Sequence, residues 1–274
     1  MKRNEHLALL TSQRALQAAV LAHNYDAVRH WLTNGGDATA LWLGQRHDDT
    51  YPLILAVENN DVEMVHLLVK GGMPLYHNAV LAQKAYGSVE PLTLVALWRP
   101  GNHEAVMALL DLGADIHSPV YDHMPVLRLT ELHESQLDAR SDALFQRILD
   151  AHPDVDAPWD EDDTQRILHL ICAGNNRYVP VLIGLSRNVH ATAGNPYNTP
   201  LLSAVRAGSD QAVKALLAHG ASPDAFAWKG KSLIELAYHV KEMDKIKNLR
   251  GQMDRIITML EASARQGSPS TSSI

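Results

Sequence analysis

The segment 199–224 constrains the fold of this chain more than any other part of it. The segment begins Thr-Pro-Leu-Leu-Ser-Ala-Val, in which Thr199 is a suitable helix N-cap and Pro200 in the first turn costs no hydrogen bond. Gly208 interrupts this helix. Apolar residues then recur at helical spacing as far as Gly220, which can take the left-handed conformation that ends a helix. The segment therefore predicts two helices joined by a tight turn.

The same pattern recurs along most of the chain. When the copies are aligned on the apolar residue that follows the Thr-Pro pair, they are anchored at Leu16, Leu53, Leu92, Val126, Leu168, Leu201 and Leu233. Successive anchors are about 32 to about 42 residues apart. Tandem units of this kind, each with two amphipathic helices, predict a stacked array in which every unit contacts its neighbours.

The segment 199–224 resembles an ankyrin repeat, a unit of about 33 residues with the signature T-P-L-H-x-A. His169, within Leu-His-Leu, matches the histidine of that signature, which in the family hydrogen-bonds between repeats. The resemblance covers roughly residues 12–262 and implies an all-α ankyrin-repeat solenoid of about seven helix-turn-helix repeats with atypical capping repeats. We expect one solenoid over residues 1–266 and a disordered tail over residues 267–274, which have almost nothing to bury.

Three departures from the repeat pattern bear on the expected structure. The loop from Gly72 to Ser88, which precedes an expected inner helix at residues 91–96, is long and should be extended with a little helix. The fourth repeat has extra residues at 133–138 and carries Ala151-His152 where other repeats have the helix-ending glycine. The fifth repeat has Arg166-Ile167-Leu168 in place of Thr-Pro-Leu. Insertions in repeat arrays often map to one face, commonly the binding face.

Composition and charge limit the kind of partner. The chain has 24 Lys and Arg against 31 Asp and Glu, for a net charge of −7. This balance argues against a nucleic-acid backbone as ligand and favours a basic protein partner, or simply solubility. Cys172 is the single cysteine, which is typical of a reducing compartment. Neither a signal-peptide core nor a membrane-spanning run is recognisable, so we expect a cytoplasmic protein. We also expect the protein to be monomeric when it is free of its partner.

The resemblance implies a binding surface on the concave side, built from the loops before each inner helix and from the exposed ends of the inner helices. We refer to these loops as fingers. Carried onto this sequence, the surface comprises Asp48, Glu58, Tyr86, Trp98, Tyr121, His123, Glu131, Trp159, Asp160, Glu161, Asp162, Asp163, Asn195, Arg206, Trp228 and Tyr238, with Asn198 and His239 beside them. Tyr and Trp are frequent in this set, as they are among interface hot spots.

The finger 159–163, Trp-Asp-Glu-Asp-Asp, holds four consecutive carboxylates. Like charges repel one another, so a cation stabilises them. We interpret the finger as a patch for Lys or Arg side chains of a basic partner, and a solvated acidic turn remains the alternative. A calcium loop fits less well, because the alternating ligand spacing around a central glycine is missing.

An enzyme is the least favoured class. Cys172 and His169 are three residues apart on one expected helix face, but a nucleophile pair also needs an exposed thiol, an orienting group and an oxyanion hole. The 15 histidines form no H-E-x-x-H motif and no zinc spacing. No cofactor or metal is expected.

Two functional hypotheses follow. In the first, the chain binds and blocks one protein, as bacterial immunity proteins and antitoxins do, with a basic toxin or enzyme as the target. In the second, it is an adaptor or secreted effector that recruits a cellular or host protein. Both rest on analogy at the level of the fold together with charge.

Overall fold

The computed structural model describes residues 3–36, 51–78, 91–93, 100–116, 125–158, 166–224, 230–243 and 249–267. The chain divides into two compact units, unit 1 (Met1–Arg128) and unit 2 (Leu129–Ile274). Each unit is built from pairs of helices. Within a pair we call the first helix inner and the second outer.

Unit 1 contains the first helix pairs and a short strand pair. Its elements are α1 (Arg3–Leu21), α2 (Tyr25–Thr33), α3 (Pro52–Glu58), α4 (Val62–Lys70), β1 (Tyr76–Asn78), β2 (Pro91–Thr93), a 3₁₀ turn (Pro100–Asn102) and α5 (His103–Asp111). Inner helix α1 packs on α3, and outer helices α2, α4 and α5 pack in sequence. Leu16, Leu53 and Leu68 are fully buried between them, so each pair covers the apolar face of its neighbour.

Unit 2 is also built from helix pairs. The boundary between the two units falls within α6. The remaining elements are α6 (Pro125–Glu131), a 3₁₀ turn (Glu134–Gln136), α7 (Ala139–Asp150), α8 (Ile167–Ile171), α9 (Tyr178–Ile183), α10 (Pro200–Ala207), α11 (Asp210–Ala218), α12 (Leu233–Met243) and α13 (Arg250–Gly267). Inner helix α10 lies between α8 and α12, and outer helix α11 lies between α9 and α13. The all-α prediction is confirmed, whereas the number of repeats stays a prediction.

The sixth repeat has the local structure that its sequence predicts. The Thr199 hydroxyl accepts a hydrogen bond from the backbone N–H of Leu202 at 3.2 Å and so caps α10. Gly208 ends α10 at φ 75°, and Gly220 follows α11 at φ 87°. Both angles lie in the left-handed region, which glycine enters without steric cost.

The expected inner helix at residues 91–96 is wrong at its start. Pro91–Thr93 forms β2, which pairs antiparallel with β1 in the register Tyr76 to Thr93 and Asn78 to Pro91. A proline has no N–H to donate but is tolerated at the first residue of a strand, and threonine favours extended backbone because it is β-branched. The strand pair therefore occupies the base of the long finger, and residues 79–90 and 94–99 lie outside the described residues.

The outer helix of the fourth repeat, α7, ends without a glycine. His152 adopts φ 54°, and its N–H donates to the carbonyl of Leu149 at 3.0 Å, as the N–H of Gly220 does to Leu217 at 3.1 Å. A non-glycine residue with positive φ is uncommon, and histidine is one of the residues that adopt this conformation more often than others.

The inserted residues of the fourth repeat are tied to the fifth. Arg177 forms ion pairs with Glu134 at 2.9 Å and with Asp142 at 2.8 Å. The Tyr178 hydroxyl also donates to Asp142 at 2.8 Å, and its ring stacks on Phe145. The insertion is thus fixed against the next repeat by charge-assisted hydrogen bonds.

Candidate partner-binding groove

A groove of about 700 Å³ lies between α10 and α12 in unit 2. We call it the inner-helix groove, because both helices are the first of their pairs. Three segments line it, namely the turn before α10, α10 itself, and α12 with the residues just before it. The lining residues are Asn195, Tyr197, Asn198, Leu202, Arg206, Lys231, Leu236 and His239.

A second cleft, of about 530 Å³, adjoins this groove on the side of α8. It is lined by His169, Leu170 and Ala173 of the fifth repeat and by Ser203 and Ala207 of the sixth. Asn198 and Arg206 line both cavities. The two cavities therefore form one surface along three successive inner helices, with Arg206 at its centre.

The turn before α10 is held by its own polar groups. The Asn195 side chain accepts from the N–H of Tyr197 at 3.0 Å, and the Asn198 side chain donates to the carbonyl of Ala193 at 2.9 Å. Asparagine favours such turns because its short side chain can bond nearby backbone. The turn presents Asn195 and the half-exposed ring of Tyr197 at the edge of the groove.

The fifth repeat supports the same turn from the other side. The Nε2–H of His169 donates to the Asn198 carbonyl at 2.9 Å. His169 is buried, and a carbonyl can only accept, so the donating nitrogen is defined. The inter-repeat hydrogen bond that the resemblance implied is confirmed.

The floor of the groove is apolar. Leu202 is 4% exposed and Leu236 is half-buried, whereas the ring of Tyr197 at the edge of the groove is 52% exposed. An open apolar floor bordered by a few polar groups is the usual form of a binding site.

The border of the groove is cationic. It includes Arg206 and Lys231, and none of the eight lining residues is Asp or Glu. The structure places ion pairs on Arg177, Arg187 and Arg255 but shows none for Arg206 with any described residue. An unpaired guanidinium at the centre of a groove is available to bind a carboxylate from a partner.

Glu235, in the first turn of α12, already accepts hydrogen bonds from a neighbouring residue. The Glu235 carboxylate accepts from the backbone N–H of Ser232 at 2.7 Å and from its hydroxyl at 3.1 Å. These hydrogen bonds, with a smaller contribution from the charge of Lys231, hold the pKa of Glu235 below its usual range. Glu235 is therefore charged and engaged as a helix cap.

Of the predicted surface residues, the structure brings Asn195 and Arg206 together in the groove, with Asn198 and His239 beside them. Tyr238 is on α12, where its hydroxyl donates to Glu261 of α13 at 3.2 Å, and it does not line the groove. This hydrogen bond raises the pKa of Tyr238. Glu58 and Glu131 are exposed at the last residues of α3 and α6.

The other predicted surface residues lie outside the described part of the chain. They are Asp48, Tyr86, Trp98, Tyr121, His123, Trp159, Asp160, Glu161, Asp162, Asp163 and Trp228. The acidic finger is among them, so its role stays a prediction.

Sequence reasoning missed Tyr197, Leu202, Lys231 and Leu236 as groove residues. Leu202 resembles a core position of the Thr-Pro-Leu-Leu segment, and Lys231 precedes its helix in a Lys-Gly-Lys-Ser context typical of a solvated turn. The spacing of Leu236 and His239, three residues apart on an inner helix, places them on one face and was the available signal.

The Cys172–His169 nucleophile pair is contradicted by the structure. Cys172 is fully buried at the end of α8, and this burial raises the pKa of its thiol. The thiolate is the reactive species of cysteine, so Cys172 serves as a small core residue. Among the described residues, no group of His, Cys, Asp or Glu side chains is arranged to hold a metal ion.

Among the described residues, every helix is too short or too polar to span a bilayer.

Paired helices that pack side by side, with a groove along their first members, define a helical repeat protein of the ankyrin type. The family model for ankyrin repeats in three copies matches residues 15–119, and the model for a single ankyrin repeat matches residues 197–227. The chain contains ankyrin repeats. Such repeats typically bind protein partners and are generally non-catalytic.

Solved structures support the same fold. The human ASB11 ankyrin repeat domain is 18% identical, with a TM-score of 0.53 over 88% of this chain and 96% of that domain. An ankyrin repeat domain from Acinetobacter baumannii AYE is 19% identical, with a TM-score of 0.51 over 78% of this chain and 98% of that one. A search of curated proteins finds no significant match to this sequence.

Proposed function

We propose that this chain is a non-catalytic protein-binding module that holds a segment of one partner protein in the inner-helix groove. The observation that carries the proposal is the surface along α8, α10 and α12, with apolar lining residues and with Arg206, which lines both cavities and has no ion pair with any described residue. Burial of Tyr197 and Leu236 by a partner supplies binding energy, and the polar border supplies orientation.

We further propose that binding blocks the partner, as an immunity protein or antitoxin blocks its target. The support comes from the sequence: four consecutive carboxylates at residues 160–163 and a net charge of −7 favour a partner with a basic patch. Long-range attraction would speed its capture. An adaptor or effector would use the same groove without abolishing the activity of its partner.

Co-purification tests both parts of the proposal. The tagged chain is isolated from the cells that produce it, and proteins present in near-equal amount are identified and assayed free and in complex. One partner that loses its activity in the complex supports the inhibitor. A partner that stays active, or a series of partners, supports the adaptor, and the absence of any stoichiometric protein contradicts the binding module.

The acidic finger can be tested in the same complex. The triple variant Trp159→Ala, Asp162→Lys, Asp163→Lys should abolish binding while helix content and melting temperature stay unchanged. Retained binding by a folded triple variant would remove the finger from the interface.

A further inference from the structure

We propose that the inner-helix groove selects an acidic segment of its partner, with an Asp or Glu carboxylate between Arg206 and Lys231 and an apolar side chain on Leu236. This inference rests on the proposed function and specifies the chemistry of the bound segment. The segment bound in this groove therefore carries a charge opposite to that of the basic partner patch expected to face the acidic finger.

The first argument is the charge of the groove. Arg206 and Lys231 are both exposed and both line it, and the eight lining residues within the described part of the chain include no carboxylate. The chain as a whole carries −7, so the cationic character is local. A guanidinium can bind a carboxylate through two parallel N–H donors, which fixes orientation as well as charge.

The second argument is that the cations are not used to hold the fold. Arg177 joins two repeats through Glu134 and Asp142, and Arg255 joins α13 to α11 through Asp210. Within the described chain, Arg206 and Lys231 have no such ion pair. Glu235, the carboxylate closest in sequence to Lys231, is engaged by Ser232.

The third argument is the mixed lining. Leu202 and Leu236 line the groove together with the two cations, and the Asn195 side-chain oxygen accepts from the N–H of Tyr197 at its edge. A short segment with an apolar and an acidic side chain satisfies both kinds of surface. A long polyanion such as nucleic acid fits less well, because the net charge of the chain repels it.

Peptide selection on the full chain provides the test. A phage-displayed library of random dodecapeptides is panned on the immobilised protein, and the enriched peptides are synthesised. Their dissociation constants are then measured with three proteins: the unchanged chain, the double variant Arg206→Ala, Lys231→Ala, and the control Lys70→Ala, Lys214→Ala. The control removes the same charge from two exposed lysines that do not line the groove. Thermal melting verifies that each variant is folded.

The inference predicts enrichment of peptides with Asp or Glu near an apolar residue. These peptides should bind the groove variant at least tenfold more weakly than they bind the unchanged chain. They should bind the control variant with the same affinity as the unchanged chain. Replacement of the acidic residue by Gln or Asn should cause a comparable loss.

The contrary outcomes are distinguishable. Enrichment of neutral or basic peptides that still depend on Arg206 and Lys231, or tenfold tighter binding of a phosphoserine version, would overturn the acidic specificity and leave the groove as a binding site. Acidic peptides that bind the groove variant normally would place their site elsewhere. Failure to enrich any peptide would count against the inference and against segment binding by the groove itself.

Discussion

The side-chain amide of Asn176 donates to the main-chain carbonyl of Leu129 at 2.7 Å and so joins the fifth repeat to the end of α6. The same nitrogen lies 2.9 Å from the carbonyl of Leu132, and the Asn176 oxygen accepts from the N–H of Tyr178 at 3.1 Å. Asn176 is 1% exposed. One buried side chain therefore satisfies the last carbonyls of one helix and the first N–H of another.

Replacement of Asn176 by Ala should destabilise the protein by about 1–3 kcal/mol, because buried carbonyls lose their donor and cannot reach water. Urea unfolding followed by circular dichroism measures the change. Gln211→Ala, at an exposed position of α11, is the control and should stay within about 0.5 kcal/mol. Equal effects of the two variants would contradict the capping role of Asn176.

Leu201→Ala tests the core of the sixth repeat. Leu201 is 2% exposed at the start of α10, so truncation leaves a cavity and should lower the free energy of unfolding by about 2–5 kcal/mol. Leu185, which is 43% exposed, provides the matched control and should tolerate the same change with little loss. A neutral Leu201→Ala variant would mean that this repeat is not packed as described.

Asp61 should make unit 1 sensitive to acid. Burial by itself would raise the pKa of Asp61, but hydrogen bonds from the Met64 N–H, His23 and Tyr25 outweigh burial and lower it. A carboxyl whose pKa is lower in the folded than in the unfolded state contributes stability at neutral pH. That contribution is lost as the pH falls through the folded pKa.

The variant Asp61→Asn checks this dependence and can still cap α4. Its free energy of unfolding should be lower than that of the unchanged protein at pH 7, and the difference should shrink steadily as the pH is lowered. A difference that is constant with pH would exclude the titration of Asp61 as its cause.

His169→Ala should loosen the turn that borders the groove. Loss of the hydrogen bond to the Asn198 carbonyl should cost about 0.5–1.5 kcal/mol, and hydrogen exchange of the backbone amides at 195–198 should accelerate. His190→Ala, at an exposed position, should leave this exchange unchanged. Protection that is identical in the His169 variant would show that the turn is held by its asparagines alone.

Local signals in the sequence predicted the parts of the fold that depend on local chemistry. Thr199 and Pro200 start α10 and Gly208 ends it, because capping and backbone freedom are properties of the residues themselves. The strand at Pro91–Thr93 was missed, since pairing with Tyr76–Asn78 is a non-local contact that outweighs the helical pattern. At the end of α7, His152 takes the left-handed conformation that Gly220 takes after α11, which its residue type alone did not predict.

The groove was predictable in position but not in composition. Asn195 and Arg206 followed from the family pattern. Lys231 could not be assigned, because its place in the same groove as Arg206 depends on how α12 packs on α10. The local positive charge was also hidden in a chain whose overall charge is negative.

The most direct test of the account is the affinity of the co-purified partner for two charge-reversal variants. Arg206→Glu changes the centre of the groove, and Lys214→Glu makes the same change in charge on exposed outer helix α11. Isothermal titration should show at least tenfold weaker binding for Arg206→Glu, or about 1.4 kcal/mol, and unchanged binding for Lys214→Glu. Equal affinities for the two folded variants would contradict binding in the inner-helix groove.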